Sequence, residues 1–273
     1  MREIVLPRRI LGLCARLALV AAMPHGAAAA EACAGTLVEQ GTVTAVADGA
    51  TLVLEGGCIV RLAGILAPEP PLGRDAKDWP LATAARTALE ALALGRVIDV
   101  APIPAGADRY GRGVAFVGVV DGPKSLSEAM VAIGLARAMP AGEAPSCLAA
   151  LFSREREARE KRLGLWAEPY YAIRAARDPA LAEREDAYDL VEGRILSVGE
   201  RGPTAYLDFG RDWRTDFTAV VSGPAGEALA ARGIPVSSLE GRRVRLRGWI
   251  EQNNGPSLRI TDPGQLELLD DGG

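Results

Sequence analysis

Twice along this chain three β-rich runs are followed by one helix and then two further β-rich runs, and that order restricts the fold more than any other feature. In the first half the runs cover residues 37–46, 51–54 and 58–65, divided by Asp48-Gly49 and Gly56-Gly57. A helix over 82–94, with its apolar stripe at Ala85, Leu89 and Leu92 and Gly95 behind it, leads into runs 97–103 and 113–120. Ser125 and Glu128 then form a capping box for a second helix closed by Gly134, and residues 146–162 read as a charged, amphipathic third. In the second half, runs 190–198, 204–209 and 216–221 precede a helix over 224–232 with Pro224 in its first turn. Runs 242–251 and 257–261 form a hairpin about Asn253-Asn254-Gly255. Five short strands with a helix between the third and fourth is the order of an OB-type barrel. The expected class is α+β, mainly β: a five-stranded OB-type barrel with packed helices, followed by a second, smaller OB-like barrel. The expected bounds are 31–167 and 188–270, with the charged, proline-containing stretch 168–187 as a linker or loosely docked helix. The two halves share little sequence, so the repetition is architectural.

The first 30 residues read as a secretion leader. Arg2, Arg8 and Arg9 form a charged front, Ile10–Met23 an apolar run, and Ala28-Ala29-Ala30 a small-residue cleavage site. The run is too short and alanine-rich for a strong permanent anchor, so the expectation is a periplasmic or secreted protein that is free of the membrane after cleavage. Of the chain's 31 basic and 35 acidic residues, the leader takes four and one, which leaves 27 against 34, a net of −7. Such a protein has no general attraction for nucleic acid, and phosphate binding must come from a local patch. The one histidine, His25, lies in the leader. A chain without it has no histidine base, no Ser-His-Asp triad and no His-ligated zinc. Cys14 also leaves, and Cys33, Cys58 and Cys147 remain. In an oxidising compartment one disulfide and one spare thiol are expected, with Cys33–Cys147 favoured because the lead strand and the last helix should lie close together.

Three short segments carry the chemistry: Asp48-Gly49-Ala50-Thr51, Arg61-Leu62-Ala63-Gly64-Ile65-Leu66-Ala67-Pro68-Glu69 and Asp108-Arg109-Tyr110-Gly111-Arg112-Gly113. With Leu163-Gly164-Leu165-Trp166 they resemble, in order and spacing, the staphylococcal (thermo)nuclease family over roughly residues 37–167, where the patterns read D-G-D-T, R-L-x-G-I-D-x-P-E and D-x-Y-G-R-G. The resemblance implies a nuclease-like fold whose catalytic residues are Arg61, Glu69 and Arg112. It implies calcium as cofactor if the protein is active, and DNA or RNA as substrate without strong sequence preference. Two departures matter. Ala50 and Leu66 stand where the family keeps its calcium-binding aspartates, and 138–142 lacks the tyrosines that line the family's nucleotide pocket.

Phosphodiester hydrolysis needs a water, a base to activate it, and positive charge where the transition state gathers negative charge. Arginine suits the last task because its planar fork grips two phosphate oxygens and stays protonated. Calcium takes about 6–8 oxygen ligands, mostly from carboxylates. Here only Asp48, the Ala67 carbonyl and Glu69 remain, a weak site at best, unless Asp75 or Asp78 compensates. The expectation is an ancestral hydrolase activity weakened or lost. The alternative is a non-catalytic module holding nucleic acid or a protein partner, and an envelope protein without a ligand also stays open. In the second half Arg243, Arg245, Arg247 and Trp249 share one face of a strand by period-2 spacing. With Tyr206, Phe209, Trp213 and Phe217 they are the candidate single-strand groove. A solvated strand face is the competing interpretation. Arg211, Asp212 and Arg214 form a further polar cluster.

Overall fold

The computed structural model describes residues 39–70, 75, 79–108, 111–140, 142, 145–212 and 214–270. Residues 1–30, where a leader is expected, and Cys33, Asp78 and Trp213 lie outside the described residues. Strands β1 (Glu39–Asp48), β2 (Thr51–Leu54), β3 (Ile59–Leu62), β5 (Val97–Ala107) and β6 (Gly113–Val119) close a barrel in the order β1-β2-β3-β6-β5, β4 (Ile65–Leu66) lying outside it. Pairing is antiparallel except between β3 and β6. Alternate residues of each strand face inward: Leu52 and Leu54, Val60 and Leu62, Ile98 and Val100, Ala115, Val117 and Val119 are all buried. In β1 the inward residues are Val43 and Val46, three apart, because a register shift between Val43 and Ala45 changes the phase.

Helix α1 (Ala82–Ala93) buries Ala82, Ala85, Leu89 and Ala93, a one-face spacing of three and four. Helix α2 (Leu126–Ala132) is capped by the Ser125 hydroxyl, which accepts from the Glu128 amide at 3.2 Å. Helix α3 (Pro145–Glu160) follows β7 (Arg137–Ala138). The strand expected over 58–65 is interrupted: Gly64 adopts φ 75°, and the chain resumes as β4, which pairs with β7 outside the barrel.

Beyond Trp166 the chain forms β8 (Arg174–Ala175), β9 (Tyr188–Arg194), β10 (Ser197–Arg201), β11 (Thr204–Asp208), β12 (Thr218–Val221), α4 (Gly223–Ala231), β13 (Arg243–Gln252), β14 (Pro256–Ile260) and β15 (Leu266–Leu268). Its sheet runs β10-β11-β12-β14-β13-β9-β8, with β15 also on β13 and a parallel β12–β14 pair. The run expected over 190–198 breaks at Ile195-Leu196, so β9 and β10 are consecutive pieces of one bent stretch near opposite ends of this order. The segment 168–187 departs from the expected linker. It folds into short 3-10 turns and β8, places Ala176 and Leu181 in the core of the second sheet, and buries Tyr171. Both halves belong to one compact unit. Among the described residues no helix is long and apolar enough to cross a membrane.

Candidate functional site

Arg61 sits between Val60 and Leu62, both core residues, so strand alternation turns its side chain out of the barrel. Register pairs it with Thr51 of β2 and Val114 of β6, and Arg112 lies two residues before Val114. Arg61 thus lies on β3, and Arg112 on the loop that leads into the neighbouring β6. Glu69, half exposed, approaches Arg61 at 3.9 Å across the turn through Ala63 and Gly64. Arg112 is held from its own loop: its Nε meets Asp108 Oδ2 at 2.7 Å and its amide donates to Asp108 Oδ1 at 3.0 Å. Arg61 and Glu69 are therefore in contact, and Arg112 is braced by Asp108 within its own loop.

The loops that would supply metal ligands also converge. A Cβ on Gly49 would lie 2.6 Å from the Ala85 Cβ and 2.8 Å from the Ala67 Cβ, so only glycine lets the β1–β2 turn approach the loop before Glu69. The donors there do not suit calcium. Asp48 Oδ1 accepts from the Ala50 amide at 2.8 Å and closes the turn. Ala50 is buried in the barrel core and its carbonyl accepts from the Leu62 amide. Leu66 pairs with Arg137 in the β4–β7 ladder. The buried Thr51 hydroxyl lacks a hydrogen-bond partner among the described residues, but it is one neutral oxygen. No group of three metal-ligating side chains occurs among the described residues. Asp75 is exposed. A calcium ion with about 6–8 oxygen ligands does not fit this donor set.

Sequence reasoning missed what lies on the far side of β4–β7. Arg137 is almost fully buried. Its guanidinium donates to the Tyr188 carbonyl at 2.6 Å and to the Tyr171 carbonyl, and it lies over the Trp166 and Tyr171 rings. Burial lowers its pKa, against the opposing pull of Asp189 at 3.7 Å. Asp189, fully buried, is gripped by both arms of the Arg184 fork at 2.8 and 2.9 Å. These residues are scattered over some 50 positions of sequence and carry no motif.

The groove expected at Arg243, Arg245, Arg247 and Trp249 is corrected by what covers it. The four do share a face of β13, but Arg247 is 0% exposed. It meets Glu155 of α3 at 2.9 Å, Glu267, the Ala138 carbonyl at 3.0 Å and the Phe152 ring. Burial alone would lower its pKa; the two carboxylates outweigh that and raise it. Arg245 is paired with Glu192 and Glu267, and Arg243 with Glu192. Trp249 is half exposed and meets Tyr188 edge-on. Of the other aromatics, Phe209 and Phe217 are core residues. A guanidinium already neutralised and sealed from water does not offer its fork to a phosphate.

The second half also contacts Ala138, Pro140 and Gly142. Besides the Arg247 contact, the Tyr188 hydroxyl donates to the Ala138 carbonyl and the Gly142 amide donates to Asp262. Gly264 lies so close to Leu148 and Pro140 that a Cβ would come within 2.2 Å of the former. Cys147, buried at the start of α3, is disulfide-bonded, with its partner outside the described residues, while Cys58 is a free, exposed thiol.

The closed barrel bears Arg61 and Glu69 in contact at one edge, with Arg112 on the loop that leads into the neighbouring strand β6. Residues 59–168 match the family model described as staphylococcal nuclease homologue, and this part of the chain is an SNase-like domain. No curated protein matches the chain.

Proposed function

We propose that this is an exported nuclease-like protein in which calcium-dependent phosphodiester hydrolysis has been lost or severely reduced. In this reading both barrels are of the OB type: in each, the third strand pairs in parallel with the fifth, as the strand order requires. The observation that carries the proposal is the donor set. Of the groups at the converging loops, the Asp48 carboxylate closes its own turn and Glu69 faces Arg61, and no group of three metal-ligating side chains occurs among the described residues. Bound metal would supply Lewis-acid stabilisation of several kcal/mol to such a reaction. What this chain would offer DNA or RNA is phosphate contact by Arg61 and Arg112 and the Glu69 carboxylate as acceptor of a proton from water.

The test is incubation of the mature protein with single-stranded DNA and calcium beside a Glu69→Gln variant. Equal, negligible cleavage by both is expected. Calcium-dependent cleavage by the parent that Glu69→Gln abolishes overturns the proposal. The second reading, a binding platform, is favoured in its protein-partner form over nucleic acid by the carboxylate pairing of Arg243, Arg245 and Arg247 and by the net −7 of the mature chain. Periplasmic or secreted location, and pairing of Cys147 with Cys33, belong to the same proposal.

A further inference from the structure

We infer that Asn254 is a self-modifying site: the Gly255 amide nitrogen attacks its side-chain amide, and the hairpin tip converts to isoaspartate and aspartate. The chain has only two asparagines, Asn253 and Asn254, and both lie in the turn between β13 and β14. Gln252 pairs with Pro256, so Asn253, Asn254 and Gly255 form a three-residue loop, closed by the Asn253 amide on the Gly255 carbonyl at 3.0 Å.

Packing selects this dipeptide. Asn254 holds φ 53°, a left-handed conformation that asparagine tolerates better than most residues with a side chain. Gly255 holds φ 93°, and a Cβ there would lie 3.0 Å from the Thr215 carbonyl carbon and 3.1 Å from the Asp216 carbonyl oxygen. Position 255 therefore needs glycine. The residue that packing requires is also the one with no side chain to shield its amide nitrogen. Asn254 is exposed, and among the described residues neither its side chain nor the Gly255 amide has a hydrogen-bond partner. Nucleophile and electrophile are joined by the chain itself, so the attack is intramolecular and closes a five-membered ring.

The reaction needs only water. The Gly255 nitrogen gives its proton to hydroxide and bonds to Asn254 Cγ; the Cγ–Nδ2 bond breaks, and ammonia leaves with a proton from water. Water then opens the resulting succinimide. Cleavage at the main-chain carbonyl leaves isoaspartate, cleavage at Cγ leaves aspartate, and no atom is oxidised or reduced. Either product adds one negative charge. Isoaspartate also inserts a carbon into the main chain before Gly255, which then loses its close seat on Thr215 and Asp216. Asp216 braces the β11–β12 loop by accepting from the Asp212 amide at 2.9 Å, so the lesion loosens that loop together with the hairpin.

Holding the whole mature chain in warm, mildly alkaline buffer made with heavy-oxygen water, then mapping its peptides by mass spectrometry, tests the inference. Label is expected at position 254, with isoaspartate the larger share and a rate that rises with pH. Asn253, equally exposed but followed by a side chain, should convert more than about tenfold more slowly. Asn254→Gly should take up no label and melt with the parent, because glycine adopts φ 53° freely. The isoaspartate fraction, separated by anion exchange, should melt below the parent and exchange its amides faster over residues 210–216. Absence of label at position 254, aspartate as the sole product, Asn253 converting as fast as Asn254, or an isoaspartate fraction whose melt and exchange match the parent would each overturn the inference.

Discussion

Truncating Glu155 to alanine tests whether a buried charge pair locks the two halves of the chain together. Glu155 is 1% exposed and accepts from the Ala138 amide at 2.9 Å, while its other oxygen meets Arg247 at 2.9 Å. The substitution leaves that amide without its acceptor and removes one of two carboxylates facing a guanidinium that water does not reach. Breaking a buried pair from one side costs about 3–5 kcal/mol. Glu267 remains on Arg247 with its side chain 23% exposed, which places the loss near the lower end, about 3 kcal/mol. In a chain of this size each kcal/mol moves Tm by roughly 2–4 °C, so scanning calorimetry should record a fall of roughly 6–12 °C. A double Glu155→Met, Arg247→Met variant removes both charges and fills the space. It should be more stable than Glu155→Ala alone, because apolar groups often replace a buried ion pair at little cost. A single-variant loss below about 1 kcal/mol, or a double variant as unstable as two independent lesions, would refute the reasoning.

Gly134→Ala should destabilise by on the order of 2 kcal/mol or more. Gly134 holds φ 72°, and a Cβ there would lie 2.3 Å from the Leu163 carbonyl; urea melts matching the parent would contradict this. Burial pushes the Tyr171 phenol from 10.0 up to about 12. The folded state keeps a proton that the unfolded chain loses, so this stabilisation is complete below pH 10 and disappears as pH rises to about 12. Denaturation of parent and Tyr171→Phe across that window should show the steeper decline in the parent; equal slopes would remove Tyr171 as the cause. Replacing Ala50 and Leu66 together by aspartate should strengthen calcium binding more than tenfold, over ~1.4 kcal/mol, in a calorimetric titration. Unchanged affinity would show that the converging loops do not form a cation site. Alanine at Arg243, Arg245 and Arg247 together should lower Tm without changing salt-dependent retention of single-stranded DNA. Lost retention with an unaltered melt would restore the groove on β13.

Much of the first barrel was legible because its signals are local. Alternation in β2, β3 and β6, the three-and-four spacing of Ala85, Leu89 and Leu92, and the Ser125 cap each follow from neighbours in sequence. The site was legible in part: Arg61 and Glu69 do meet, and the loops bearing Ala50 and Ala67 converge through Gly49. Asp108 as the brace of Arg112 was visible only as part of a motif. The Arg137–Asp189–Arg184 cluster was not visible at all, since nothing in a run of charges says which of them will lose its water.

By itself the sequence determined which side chains share a face, because strand and helix periods are properties of the local backbone. It placed Arg243, Arg245 and Arg247 together on β13 and removed the donors at positions 50 and 66. Only the tertiary structure decided what each face touches. Arg247 is sealed by Glu155, 92 residues away, and residues 168–187 became part of a core by burying Ala176 and Leu181. Solvation is set by whatever packs on top, and here that came from distant chain.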